Sequence, residues 1–268
     1  MKYAILSVLA LTACFVPAWL LAGIIARRRG YKTGKRILLT AVAGLLLFSA
    51  AALGYLEFYY HGDQTAHTAL NSDDTVQVEK IKNGYLFDGP GKGKAVIFYP
   101  GGKVEGIAYA PLLRKLAAAG TDCFLAEMPF RMAIFGSGRA EAIIRDYDYE
   151  HWYLAGHSLG GTAAALYASS HESELDGIIL LASYSTKKLN GIALLSVYGT
   201  LDGCLEMEQY AANKNNWPAD HEESLISGGN HCQFGNYGHQ KGDGQAEIDA
   251  DRQQDETVKI ITKWLANH

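Results

Sequence analysis

Residues 156–161 read Gly-His-Ser-Leu-Gly-Gly. They follow the run His151-Trp152-Tyr153-Leu154-Ala155 and lead into Thr162-Ala163-Ala164-Ala165-Leu166-Tyr167-Ala168. Strand, Gly-x-Ser-x-Gly, helix is an order that holds a serine on a sharp turn above a sheet. Side chains at 156 and 160 would clash across such a turn. The chemistry implied is attack by Ser158 Oγ, with free N–H groups at the helix start available to an oxyanion. A serine hydroxyl is a poor nucleophile until a base takes its proton, and the base needs a third group to hold its ring. Asp202 lies in Gly199-Thr200-Leu201-Asp202-Gly203, just past an apolar strand-like run. His231 ends Ile226-Ser227-Gly228-Gly229-Asn230-His231, past the next strand-like run. Loops at strand ends carry function, so these are the expected acid and base. The bland readings are a turn residue and a loop histidine. His239, in the same glycine-rich loop, is the rival base and His221 a weaker one; Glu127 is the rival acid. His157 reads as a packing residue of the turn.

An oxyanion hole needs two N–H donors. The amide of Leu159, directly after the nucleophile, is expected to be one. The other is expected from Pro100-Gly101-Gly102-Lys103, with Gly102 first and Lys103 second, because glycine lets backbone approach a substrate closely.

These residues need a sheet to carry them. Strand-like runs are Thr75–Ile81, Tyr85–Asp88, Lys94–Tyr99, Asp122–Glu127, Trp152–Ala155, Gly177–Ala182, Ile192–Tyr198 and His221–Ile226. Helix-like runs are Ala108–Ala119, Arg139–Tyr147, Leu159–Ser169, Leu205–Asn213 and Ala250–Ala266. Runs such as Ala95-Val96-Ile97-Phe98-Tyr99 are apolar throughout, as in strands covered on both faces. Early strands followed by strand–helix alternation predict an α/β fold of about eight strands, mostly parallel, with helices on both faces. Gly89-Pro90-Gly91-Lys92-Gly93-Lys94 lacks phosphate-loop spacing and leads into a strand, so it reads as a turn.

Ahead of this domain the sequence changes character. Residues 4–26 carry no charge, and in 37–60 the only one is Glu57. Each run is long enough to cross a bilayer as a helix of roughly 20 residues. Between them, residues 27–36 hold six cations and no anion. The expectation is an N-terminal two-helix transmembrane hairpin, residues 1–60, with a basic cytoplasmic loop. Residues 61–74 are polar and aperiodic and read as a linker; 75–268 is the catalytic domain. The protein is then a multi-pass cell-membrane protein, with the domain on the extracytoplasmic side and the lipid bilayer as a partner. A cleaved signal peptide and a buried core helix are the competing readings of the two runs. Residues 1–60 hold seven of the 24 Lys and Arg and one of the 28 acids. The remaining 17 cations and 27 anions give about −10, which argues against nucleic acid as a partner.

Taken together, Tyr99-Pro100-Gly101-Gly102-Lys103-Val104, the Ser158 motif, Gly199–Gly203 and Gly228–His231 resemble the α/β-hydrolase superfamily, specifically its small, lid-poor, dienelactone-hydrolase-like branch. In that fold the order is Ser, Asp or Glu, His, so the resemblance implies a Ser158–His231–Asp202 triad. It also implies ester hydrolysis through an acyl-enzyme, on a small-molecule ester or acyl substrate. No metal or organic cofactor is required. Dienelactone hydrolases proper use Cys as nucleophile, and many relatives have His where this chain has Pro100. Same-triad alternatives are an amidase, thioesterase or lipid deacylase. An alternative of another class is a catalytically silent, membrane-tethered binding module. The short stretch between Ala182 and Ile192 predicts no lid there. In the glycine-rich loop after His231, Gln233, Phe234 and Tyr237 are candidates to line the pocket. Cys204 and Cys232 flank the acid and the base, and a disulfide between them would tie the two loops together in an oxidising setting.

Overall fold

The computed structural model describes residues 16–17 and 19–268. The chain divides into two compact units after Phe58. Most of the first apolar run, including Cys14, lies outside the described residues.

In the first unit, residues 19–28 are helical. Gly30, at φ +67°, ends that helix in the left-handed conformation that stops helices most cheaply. Helix α1, Thr33–Glu57, follows and runs for 25 residues. Its most apolar 18-residue window has a mean hydropathy of 2.3 and is only 11% buried. At 1.5 Å per residue α1 is about 37 Å long, more than the roughly 30 Å hydrocarbon core of a bilayer. Among the described residues it is the one helix long and apolar enough to cross a membrane. Of the two-helix hairpin expected from the sequence, the described residues show one such helix and not the pair.

The second unit is built on an eight-stranded sheet. Its strands are β1 Gln77–Ile81, β2 Gly84–Asp88, β3 Lys94–Tyr99, β4 Asp122–Ala126, β5 His151–His157, β6 Gly177–Leu181, β7 Ala193–Gly199 and β8 His221–Ile226. They lie in the order β1-β2-β4-β3-β5-β6-β7-β8. β2 is antiparallel to both β1 and β4, and every later pairing is parallel. The helices are α2 Gln64–Thr68, α3 Ala110–Ala118, α4 Arg139–Asp146, α5 Leu159–Ala168, α6 Met207–Asn213 and α7 Ala250–Leu265.

Successive strand residues point to opposite faces, so each central strand feeds two cores. Val96 and Phe98 pack with Leu112, Leu113 and Leu116 of α3 and Ile261 and Trp264 of α7. Ala95, Ile97 and Tyr99 pack with Ile143 of α4, Ala164 of α5 and Tyr210 of α6 on the other face. This is why the strands read as continuous apolar runs. Residues 182–192, between β6 and β7, carry no helix, as their length predicts.

Residues 61–74 depart from the linker reading. Asp63 caps α2 by accepting the Ala66 N–H at 3.0 Å, and Ala66 is fully buried. Tyr60 forms a parallel bridge with Val104, donating to Lys103 O and accepting from Glu105 N, both at 2.8 Å. Two buried alanines, Ala66 and Ala69, give no helical or strand periodicity, and backbone pairing leaves none in side chains.

Candidate active site

β5 ends at His157, α5 begins at Leu159, and Ser158 makes the turn between them at φ 52°, ψ −125°. That is a strained conformation for a residue with a Cβ. It is held from both sides: Ser158 N–H donates to Leu181 O at 3.0 Å, and Ser183 Oγ donates to Ser158 O at 2.7 Å. The turn needs its glycines for close approach. A Cβ at 160 would stand 2.1 Å from Tyr99 O, and one at 156 would stand 2.5 Å from the Gly160 carbonyl carbon. As the first residue of α5, Leu159 has an N–H with no intrahelical acceptor.

Asp202 and His231 meet. His231 Nδ1 lies 2.9 Å from Asp202 Oδ2, and both side chains are only 2% exposed. The other carboxylate oxygen, Oδ1, accepts from Cys204 N at 2.8 Å and Leu205 N at 2.7 Å. Fixed in this way, the carboxylate can only address Nδ1, which leaves Nε2 as the nitrogen able to accept a proton. Nε2 is buried and has no protein partner. The rivals stand elsewhere. His239 and Glu127 are exposed, and His221 Nδ1 is engaged with Pro218 O at 2.8 Å.

Gly102 N–H has no acceptor among the described residues, whereas Lys103 N–H donates to Arg131 O at 2.8 Å. The second-choice donor Lys103 is therefore already committed. A Cβ at 102 would stand 2.8 Å from Leu159 Cδ2, so the two expected donor residues are neighbours. Next to them, Tyr109 accepts the Gly101 N–H at 3.1 Å, and its hydroxyl lies 2.8 Å from His157 Nδ1. Which of the two donates in that contact is set by the tautomer of His157. Burial, with the nearby His231 adding to it, holds the His157 pKa well below its ordinary value. The packing role expected for His157 gains a specific form: it fixes the Gly101 loop through Tyr109.

Three expectations fail. Cys204 and Cys232 are free thiols. Cys204 Sγ accepts from Gln240 Nε2 at 3.4 Å, and Cys232 Sγ points to Asn230 Oδ1 at 3.6 Å. Phe234 is fully buried in the core, with no surface to offer a ligand, and Tyr237 packs against the rings of Tyr60 and Tyr109. Of the pocket candidates only Gln233 is partly exposed.

The two loops are joined by a residue the sequence did not single out. Asp243 Oδ1 accepts from Gly203 N at 3.0 Å, His231 N at 3.1 Å and Gly244 N at 2.8 Å. Its Oδ2 accepts from Cys232 N at 2.8 Å. One carboxylate thus ties the loop of Asp202 to that of His231. Gln253 of α7 adds a clamp at Asn230, accepting its N–H at 2.9 Å and donating to its carbonyl at 2.8 Å. The available signal for Asp243 was its flanking by Gly242 and Gly244, which leaves its backbone open to close approach.

With no cystine among the described residues, a reductant should leave the melting temperature unchanged. Burial pushes both thiols up to about 11, so alkylation of the folded protein near pH 7 should be slow at Cys204 and Cys232. A reductant-induced drop in melting temperature would contradict this.

A family model described as the alpha/beta hydrolase family matches residues 95–255, more than half of the chain. The chain belongs to the α/β-hydrolase family. No curated protein matches this hydrolase. Among solved structures it is similar to dienelactone hydrolase from Anabaena variabilis, at TM-score 0.54 and 13% identity, covering 72% of this chain and 99% of that one. It is also similar to a monoacylglycerol lipase from Paleococcus ferrophilus, at TM-score 0.52 and 16% identity, covering 66% and 96%. A variant of Vigna radiata epoxide hydrolase aligns at TM-score 0.55 and 9% identity, covering 73% and 100%. At such identities the likeness is one of fold. The enzyme is a hydrolase with lipase and other hydrolase neighbours, and the reaction must be argued from the site.

Proposed function

We propose that this hydrolase is a membrane-anchored serine carboxylesterase. The observation that carries the reading is the buried Asp202–His231 pair at 2.9 Å, with His231 Nε2 left unpartnered in a domain that presents Ser158 on a strained turn. In the proposed cycle Nε2 takes the Ser158 proton as Oγ attacks the acyl carbon. The Leu159 and Gly102 amides hold the oxyanion. Protonated His231 then gives its proton to the leaving alcohol. A water, deprotonated by the same nitrogen, breaks the acyl–Oγ bond and releases a carboxylic acid. Asp202 keeps the imidazole in the required tautomer and offsets its transient charge.

The anchoring part of the proposal is supported by α1 and by the six cations of residues 27–36. A basic turn between two apolar runs stays cytoplasmic, so a hairpin over residues 1–60 would place the catalytic domain outside. Membrane retention after alkaline carbonate washing tests the anchor by itself. The chemistry is tested by a fluorophosphonate probe on the full chain, read by mass spectrometry. The expected adduct is on Ser158, and folded protein that takes no label there would sink the reading.

A further inference from the structure

The segment between β4 and α4 has its apolar residues sorted in an unusual way. Met128 and Ala133 are buried, while Phe130, Ile134 and Phe135 are 48%, 45% and 62% exposed. Among the described residues of the second unit, five large apolar side chains are exposed, the other two being Met207 and Leu225. Three of the five thus fall within six residues. The Phe130 and Phe135 rings meet edge to face, 6.2 Å apart. Scattered exposed apolar residues are ordinary, but a clustered, exposed aromatic patch signals a surface that something covers.

The patch is rigid. Phe130 and Arg131 both adopt left-handed backbone, at φ 53° and 55°. Such strain persists only where the surroundings impose it. Lys103 N–H imposes part of it by donating to Arg131 O, and the Arg131 guanidinium lies 3.7 Å over the Tyr59 ring.

The patch also borders the site. Lys103 directly follows Gly102, and the turn Ala133–Phe135 packs against α5, the helix that begins after Ser158. The loop that binds the patch is bridged in turn by Tyr60. Only Phe58 and Tyr59 separate Tyr60 from Glu57, the last residue of α1. Three extended residues span at most about 11 Å.

We propose that Phe130, Ile134 and Phe135 form a bilayer-docking rim, and that the substrates are amphiphilic acyl esters taken from the membrane rather than water-soluble esters. This rests on the anchoring and serine-esterase readings above. The rim seats in the interfacial region of the bilayer. The scissile ester, which lies at headgroup depth, then reaches Ser158 without leaving the lipid. Hydrolysis consumes one water and returns a fatty acid and an alcohol.

The test uses the full chain reconstituted in phosphatidylcholine vesicles. Hydrolysis of p-nitrophenyl palmitate carried in the bilayer is compared with that of p-nitrophenyl acetate in water. The triple variant Phe130→Ser, Ile134→Ser, Phe135→Ser should lose about tenfold on the palmitate, as expected for removing part of an apolar contact, and nothing on the acetate. Equal activity of variant and wild type on both esters overturns the proposal. A second measurement covers the case in which the triple variant folds poorly. In Phe135→Trp, the added fluorescence relative to wild type should be quenched by phosphatidylcholine brominated on its acyl chains. No added quenching overturns the proposal whatever the activities. Carbonate washing reports on the anchor and fluorophosphonate labelling on Ser158, so failure of either reading is distinguished from failure of the rim.

Discussion

Ser158→Ala and His231→Ala should each lower kcat/KM for a short-chain ester by about a million-fold, and the double variant should be no worse than either alone. The reason is that in the proposed cycle the two side chains perform one event. Without the base, Oγ stays protonated; without Oγ, the base has nothing to activate. Asp202→Ala should cost less, on the order of 10⁴-fold, because His231 can still accept a proton when it samples the right orientation. Asp202→Asn should behave like Asp202→Ala, since an amide NH₂ turned toward Nδ1 would favour the wrong tautomer. On the same proposal, the residual rate in all of these should reflect the Leu159 and Gly102 amides, which the substitutions leave in place. Circular dichroism should be unchanged in the Ser158 and His231 variants. The readout is kcat/KM for the two singles and the double. Losses that multiply in the double variant, or a His231 variant with substantial activity, would mean the base lies elsewhere.

What could be read from the sequence follows from how far each signal extends along the chain. Ser158 announces itself locally, because the turn that exposes it demands glycine at 156 and 160, where backbone stands within 2.1 to 2.5 Å of a would-be Cβ. That Asp202 and His231 would come together was legible because each follows a strand at the same end of a parallel sheet. The fold was legible because burial on two faces writes itself into continuous apolar runs. Long-range polar contacts leave no such trace. Nothing in Lys241-Gly242-Asp243-Gly244 says that its carboxylate meets amides at 203, 231 and 232. The link between the acid and base loops exists, but the cysteines were the wrong chemistry for it: their thiols turn to Gln240 and Asn230 instead. Phe234 and Tyr237 were misplaced for a related reason. An aromatic in a glycine-rich loop reads as a pocket wall, yet the loop folds back and buries both rings in the core.

Asp243→Ala should therefore lower kcat by about 100-fold, the scale of an ångström-sized misplacement of catalytic groups. It touches neither Ser158 nor the ring of His231. It leaves four backbone N–H groups without their acceptor. Hydrogen bonds to a charged acceptor contribute about 1.5–3 kcal/mol each, but this site is half solvated and its amides can turn to water. A net loss of about 3 kcal/mol is the reasonable expectation, seen as a lower melting temperature. Asp243→Asn should be milder in both respects. One oxygen still serves three of the amides, while an NH₂ in place of Oδ2 would confront the Cys232 N–H donor to donor. The charge itself has a pH signature. Burial opposes ionisation of Asp243, but the Gly203, Cys232 and His231 amides outweigh it and hold the pKa below the ordinary 3.8. A carboxyl depressed in the folded state contributes stability that is whole above its unfolded value and is lost as the pH falls through the depressed one. Wild type should accordingly lose stability below about pH 4, and Asp243→Ala should show a smaller drop over the same range. A purely structural role would show in the melting temperature alone. A positioning role requires kcat, and the rate of fluorophosphonate labelling with it, to fall at temperatures where the variant is fully folded. Full kcat in folded Asp243→Ala would leave Gln253, through its paired bonds to Asn230, as the residue that sets the place of His231.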